Sequence, residues 1–537
     1  MANSATNTSC LLSDPAAAFL DRGVKIEPLV DRWSAWPHLL SPVTQALNLN
    51  FRYLPLARSF VSAPNIHIAA NDDPTMFGGP FLGLPVEAVQ DVSRYIVEVE
   101  SRRGAALSFA QQFREFDVTL QSADGYCLND FREKIPSSLR GLIELNYDLN
   151  NHPRIRLYEE MFIENDLGHE SAQELLLHRQ RDVDRPFFLS TPRLSSDLGL
   201  FIKSTFDSEA ATYLGEARDR PIDLNRLAAL CGISVGNLIP YFTNEPRPAA
   251  DVYSGDGVRV RYFGHACILI ETSEISILID PTFANDETEE TSHLTGDDLP
   301  PRIDIVFLSH GHQDHFHPES LLRIRNRVGV VIIPPTNRGE LSDPSMKSIL
   351  KRMGFRSVIT LDYLEPYDVP GGTITSLPFS GEHCDLDIHS KQCAIFELNG
   401  RRIATLVDSD AIDIDVYMRL VPLLSRLDLM FIGMECYGAP LSWLYGPLIT
   451  GSLSRKNDNS RRLSGANAQN ARRLTEALKP RNVFVYAMGQ EPWMRSLMGL
   501  QYAEDSIQLA ESSEYVDWCR SIGIPAERLL FEKEVHL

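Results

Sequence analysis

The stretch VFLSHGHQDHFHPESL, Val306 to Leu321, sets four histidines and an aspartate within eight residues, directly after an apolar run. The pattern H-x-H-x-D-H joins His310, His312, Asp314 and His315. Packing these groups at one strand end without a cation would leave repelling or unsatisfied polar groups together, so the pattern reads as a metal site. The preceding IDIVFLS reads as a buried strand. His310 and His312, two apart, leave its end on the same face and can hold one metal. Asp314 and His315 lie in the turn beyond, ahead of a helix expected from Pro318, and could hold a second. Two metals sharing a site need a bridging carboxylate, for which Asp408, closing the strand RIATLVD, is the candidate. His293, His317 and His389 read as ordinary structural histidines.

Around this motif, from Val258 onward, short β-rich runs alternate with helical ones: VRVRYFG, CILIET, ISILIDP, VGVVIIPP, GTITSLPF, CAIFELNGRRIATLVD, LDLMFIGME and NVFVYAMG. Asn399-Gly400, between two apolar runs, predicts a hairpin. Many strands with interspersed helices predict a layered α/β domain over residues 257–537. Residues 1–250 show mainly helical periodicity. In PVEAVQDVSRYIVEVESRRG, Val86, Val89, Val92, Ile96 and Val99 recur at three- and four-residue steps, and HESAQELLLHRQRDVD reads as a second such segment. PRPAADVYSGDG, Pro246 to Gly257, reads as a linker. DLNRLAALCGISVGNLIPYF, Asp223 to Phe242, has a helix-turn-helix rhythm, but without a basic recognition face it reads as two packed helices near the domain border.

The chain has 537 residues, more than one hydrophobic core usually serves, so two domains are expected. A formal net charge of -21 argues against nucleic acid and anionic membranes as partners; RIRNR, Arg323 to Arg327, reads as a solvated helix face. Eight cysteines, from Cys10 to Cys519, form no C-x-x-C pair, which favours reduced thiols. MANSATNTSCLLSDPAAAF lacks the charged and apolar regions of a secretory signal, and no segment approaches membrane-spanning length, so a cytoplasmic location is expected.

The C-terminal part resembles the metallo-β-lactamase fold, an αββα sandwich with a dinuclear site at its strand ends. YFGHACILIE and ILIDPTF resemble the opening strands of that fold, Asp280 its structural aspartate, LPFSGEH its third motif and Asp408 its bridging ligand. A hydrolytic member supplies one more histidine after the bridging aspartate, but here the only later histidine is His536. The third motif reads Glu382-His383, so either side chain could be the ligand, and GMECYGAPLSWLYGPL brings Glu435 to another strand end, as a further ligand or as a partner of loop amides. His265 in FGHAC is a candidate outer hydrogen-bond partner or a plain strand-end histidine. A carboxylate in place of imidazole lowers the metal's Lewis acidity, and mixed histidine/carboxylate sites with open positions suit iron that activates dioxygen.

Over essentially the whole chain, a helical N-terminal domain followed by a lactamase-like domain with SHGHQDH, GEH, LVDSD and MECYGAP is similar to the di-iron β-hydroxylases of nonribosomal peptide biosynthesis. That resemblance implies a cytoplasmic monooxygenase of antibiotic biosynthesis. Two iron ions, oxo- or hydroxo- and carboxylate-bridged, would use O2 and electrons from an external donor to hydroxylate the β-carbon of an aromatic aminoacyl group. The substrate would be a thioester on a peptidyl carrier protein. It implies that His310, His312 and Glu382 hold one iron, Asp314 and His315 the other, and Asp408 bridges them, with catalysis turning on Glu382 and Asp408. The N-terminal domain would serve a homodimer and carrier docking. The competing expectation is a zinc-dependent hydrolase of the same fold, acting on an ester, lactone, thioester or phosphodiester.

Overall fold

The computed structural model describes residues 12–537 apart from 74–75, 77–78, 165–166, 168, 249, 287–291, 337–338 and 500–501. Cys10 and most of the N-terminal stretch read above lie outside the described residues.

From Arg259 the chain forms two seven-stranded sheets. The first runs Val358–Thr360, Val328–Ile333, Ile303–Phe307, Ser276–Ile279, Ile268–Glu271, Arg259–Tyr262 and Lys533–His536 in spatial order. The second runs Pro366–Val369, Gly372–Leu377, Cys393–Leu398, Arg401–Thr405, Leu429–Gly433, Val483–Tyr486 and Ala526–Arg528. Alternation along the strands divides the core. Ile268, Ile270, Ile277, Ile279, Ile305 and Phe307 meet Ile374, Phe396, Ile403 and Phe431 of the facing sheet. Leu269, Leu278, Val306 and Leu308 point the other way. Helices Ile414–Leu424, Ala468–Leu478 and Ile507–Ser521 cover the outer face of the second sheet. This is the expected αββα sandwich. At the expected hairpin, Leu398 pairs with Arg401, and Asn399 and Gly400 both have positive φ, +47° and +75°, as a two-residue turn of that hand requires.

Helices dominate the N-terminal part. Val89–Arg102 buries Val92, Tyr95 and Val99 as the valine spacing predicts. The helix-turn-helix rhythm resolves into Leu224–Cys231 and Val235–Leu238, joined through Gly232 at φ +66°, with Leu224, Leu227 and Leu238 in the core. One helical expectation is wrong: within HESAQELLLHRQRDVD, Gln173–His178 is a strand buried at all six positions. It lies between Lys25–Val30 and Gly199–Lys203 in a four-stranded antiparallel sheet completed by Trp33–Ser34. A strand packed on both faces has no polar side, so its leucine run carries no strand periodicity.

The N-terminal part covers the outer face of the first sheet. Trp33, Trp36, Leu39 and Phe60 share one core with Leu269, Leu278, Val306 and Val331. This packing also corrects the reading of RIRNR. Arg325 is buried and donates to the Phe206 carbonyl and to Thr212 Oγ1, Arg327 pairs with Asp219, and Arg323 pairs with Asp297. The face that looks solvated in sequence is roofed by the N-terminal part.

Candidate metal centre

Three strand ends converge on the site. His310 to His315 follow Ile303–Phe307, Glu382 lies in the loop after Gly372–Leu377, and Asp408 follows Arg401–Thr405. The backbone is strained there. His265, Asp280, Glu382 and Val407 adopt φ of +47°, +40°, +68° and +51°. For non-glycine residues this costs of order 1 kcal/mol or more each, a burden that surrounding structure must hold in place.

All six predicted residues come together and are buried. His310 Nε2 lies 3.1 Å from His312 Nδ1, 3.8 Å from Glu382 Oε2 and 4.0 Å from Asp408 Oδ2. His312 Nδ1 is 2.9 Å from Glu382 Oε1. His315 Nε2 is 2.8 Å from Asp408 Oδ2 and 3.6 Å from Asp314 Oδ2.

The remaining contacts fix which nitrogen of each ring faces inward. Asp280 Oδ1 accepts from the Ser309 amide at 2.7 Å, and Oδ2 accepts from Ser309 Oγ at 2.5 Å and from His315 Nδ1 at 2.9 Å. Having donated to Asp280, Ser309 Oγ accepts from His310 Nδ1 at 2.9 Å. Both rings therefore turn a lone pair at Nε2 toward the centre. His312 is reversed: Nε2 meets the Tyr445 hydroxyl at 3.3 Å and Nδ1 faces inward. His265 accepts the Gly489 amide at Nδ1, 3.1 Å, so its proton sits on Nε2 and is donated to Asp314 Oδ2 at 3.0 Å. That bond makes His265 a positioner of Asp314, the outer role considered for it. Sequence alone offered no sign of Ser309, Tyr445 or Gly489, whose partners are set by the fold.

His383 stacks on His312 at 4.4 Å between ring centroids, with Nδ1 on the Gly381 carbonyl at 3.3 Å and 3.0 Å from Glu382 Oε2. Glu435 lines the cavity beside Asp314, Glu382 and Asp408 but belongs to none of the ligand clusters among the described residues. His536 lies on an edge strand, bonded to Glu534, and not in those clusters. His317 bonds Ser320, and His293 bonds the Asp286 carbonyl and stacks on Trp493.

Burial drives the titration of the cluster. It holds His310 far below its ordinary pKa, with His315 and His312 adding to the effect. It raises Glu382 to about 7 against the opposing pull of His312. Burial opposes the charge of Asp314 too, but His315 and His265 hold that carboxyl below the usual range. Cys384, in the same loop, has its thiol pushed far up by burial and is no ready thiolate ligand.

The donor set fits a pair of hard cations. His315 Nε2, Glu382 Oε2 and Asp408 Oδ1 are buried without hydrogen-bond partners, a state that is costly unless something else satisfies them. Three groups of donor atoms, each within 4.8 Å of one another, join His310, His312, Glu382 and His383; His265, Asp314 and His315; and His310, His315 and Asp408. Because the His265 Nε2 proton is committed to Asp314, the second group contributes Asp314 and His315 as donors. Imidazole and carboxylate without thiolate is the chemistry of non-haem iron.

Residues 19–246 match the family described as diiron non-heme β-hydroxylase N-terminal domain, and residues 259–380 a β-lactamase superfamily domain. The chain is 32% identical over 531 residues, 96% of its length and 99% of the relative's, to the 4-amino-L-phenylalanyl-[CmlP-peptidyl-carrier-protein] 3-hydroxylase of Streptomyces venezuelae. A shorter likeness, 33% over 137 residues, covers 24% of this chain and 23% of a putative Rieske 2Fe-2S iron-sulfur protein of Mycolicibacterium smegmatis. Among solved structures, CmlA, a diiron β-hydroxylase from Streptomyces venezuelae, superposes with a TM-score of 0.89 at 31% identity, covering 97% of this chain and 100% of that one. With both halves matched in order and the whole length aligned, the chain belongs to the diiron non-heme β-hydroxylase family.

Proposed function

We propose that the enzyme hydroxylates the β-carbon of an aromatic aminoacyl group carried as a thioester on a peptidyl carrier protein, in nonribosomal peptide antibiotic biosynthesis. The observation that carries the reading is one cavity with two unlike walls. His312, Asp314, Glu382 and Asp408 form one side, and Phe187, Trp443, Leu444, Leu463 and Met498 form another. A ring on the apolar wall would hold the neighbouring β-carbon at the metal side. The relative from Streptomyces venezuelae acts on an aminoacyl carrier substrate.

In this reading His310, His312 and Glu382 would hold one iron and Asp314 and His315 the other, with Asp408 shared between them. The bound irons supply dioxygen activation. The overall change is balanced by inserting one oxygen atom into a C–H bond and reducing the other to water, with two electrons from a separate reductase and two protons. The chain's own residues do the rest. Asp280 and Ser309 fix the orientation of two imidazoles, His265 holds Asp314, and the apolar wall keeps bulk water from the reacting carbon. The enzyme works as a homodimer in the cytoplasm, with residues 1–250 as the domain for dimerisation and carrier docking and 257–537 as the metal domain. A zinc hydrolase has less support, because no histidine after Asp408 reaches the cluster among the described residues.

The test is metal content and visible spectrum of protein produced with iron and zinc both available, followed by reaction with loaded carrier under labelled dioxygen. Two irons per chain and a product carrying one labelled oxygen at the β-carbon are expected. Bound zinc, with thioester cleavage that persists without oxygen, would overturn the proposal.

A further inference from the structure

Glu435 stands apart from the rest of the site. It follows the strand Leu429–Gly433 and lines the same cavity as Asp314, Glu382 and Asp408, yet its Oε1 is buried without a hydrogen-bond partner. No ion pair among the described residues contains it, and it joins no ligand cluster. Its position is nonetheless fixed: the Glu435 carbonyl accepts the Gly465 amide at 2.9 Å, and half-buried Tyr502 turns its hydroxyl toward the carboxylate. A carboxylate so placed calls for a cation delivered from outside the chain.

We infer that Glu435 receives the α-ammonium group of the aminoacyl substrate. The assignment rests on the carrier-bound aminoacyl reading above and deepens it. The α-nitrogen is separated from the β-carbon by a single carbon, so with the β-carbon at the metal side the ammonium must lie next to that side. Glu435 is the cavity's acidic side chain outside the ligand clusters. The aromatic side chain takes the apolar wall at Trp443 and Phe187, and the thioester runs toward the carrier. Ring, β-carbon and ammonium are thereby held at three points, which fixes the hydrogen of the β-carbon that faces the irons. The site thus selects a free aminoacyl group against an N-acylated, peptidyl or des-amino one.

The experiment compares carrier protein loaded with an aromatic aminoacyl group against the same carrier bearing its des-amino 3-arylpropionyl and N-acetyl analogues. Equilibrium binding to the iron-loaded enzyme and single-turnover hydroxylation are both read, for the unsubstituted protein and for Glu435→Gln. The unsubstituted enzyme is expected to favour the free amine by about 100-fold, the worth of one charge-assisted hydrogen bond in a buried site. Glu435→Gln is expected to lose that preference while keeping two irons. Equal handling of amino and des-amino carriers by the unsubstituted enzyme would overturn the assignment but leave the carrier reading standing. So would a Glu435→Gln enzyme that keeps the preference, or one that loses iron, which would make Glu435 a metal ligand. An enzyme that hydroxylates no loaded carrier would bring down the carrier reading and this assignment together.

Discussion

Asp280 acts on two rings at once, directly on His315 and through Ser309 on His310, so one carboxylate sets the tautomer of two of the three imidazoles in the candidate ligand set. His265 does the same for a carboxylate, with the Gly489 amide fixing which of its nitrogens can donate. Removing such an outer partner leaves the ligand in place but free to turn, which costs roughly 10–100-fold in metal affinity. His265→Ala is therefore expected to fold and to bind iron, but to lose it about 10–100-fold more readily to a chelator than the unsubstituted protein. Iron retention during dialysis against a chelator checks this; unchanged retention would mean the bond to Asp314 has no bearing on the centre. At this scale the candidate ligands were legible, and so were Asp280 and His265 among their supports, but Ser309, Tyr445 and Gly489 were not. His310, His312, Asp314 and His315 announce themselves by spacing within one turn. Tyr445, which holds His312 from 133 residues away, becomes visible only when the chain is folded.

One irregular helix of the N-terminal part reaches toward the site. Pro42–Asn48, Leu49–Tyr53 and Leu54–Ser62 run on as one helical stretch whose middle segment is a π-helical turn just before Pro55. Proline has no amide to donate and its ring crowds the preceding turn, a misfit that a wider turn absorbs. The turn carries Arg52, whose half-buried guanidinium donates to the carbonyls of Ser442 and Trp443. Those residues open the short helix Ser442–Tyr445, which supplies Trp443 to the pocket wall and Tyr445 to His312. Arg52→Met keeps the apolar stem and strands both carbonyls, at about 1–3 kcal/mol for each. The expected outcome is a lowered melting temperature and weaker hydroxylation, with iron content unchanged. Loss of iron in step with activity would place the effect at the metal instead of at the wall. The sheet that supports this arrangement was harder to read. Gln173–His178 lies between two other strands with every side chain buried, so no polar face marks it as a strand, whereas Val89–Arg102, half exposed, shows its valine stripe openly.

Across the whole molecule, the two parts share a core, and the contacts sealing it include histidines that the fold holds neutral. His169 donates Nε2–H to the Leu39 carbonyl at 2.9 Å, while its Nδ1 accepts from Arg352 at 3.0 Å and Gln173 at 3.1 Å. Arg352 belongs to the helix Met346–Arg352 on the other side of that junction. A proton on Nδ1 would set N–H against a guanidinium. Burial, reinforced by Arg352, accordingly lowers His169 to about 3. His178, on the buried N-terminal strand, is lowered to about 4, chiefly by burial, against the pull of Glu27. In the unfolded chain both rings titrate near about 6.5. Above that pH both states are neutral and the groups contribute no pH dependence. Below it the unfolded chain takes up protons that the folded one refuses, so stability falls with pH until the folded values are reached. At pH 5.5 the loss is about 1.4 kcal/mol for each ring. The expected result is that the share of these two rings in the melting temperature is flat from neutral pH down to about 6.5 and falls below it. His169→Gln, which keeps an amide N–H for Leu39 and a carbonyl for Arg352, should flatten part of that fall without altering the iron content measured at neutral pH. A His169→Gln protein whose melting temperature follows pH as the unsubstituted protein's does, between neutrality and about 5.5, would mean that the His169 ring is solvated enough to protonate within the fold, and that the junction between the two parts is looser than the shared core implies.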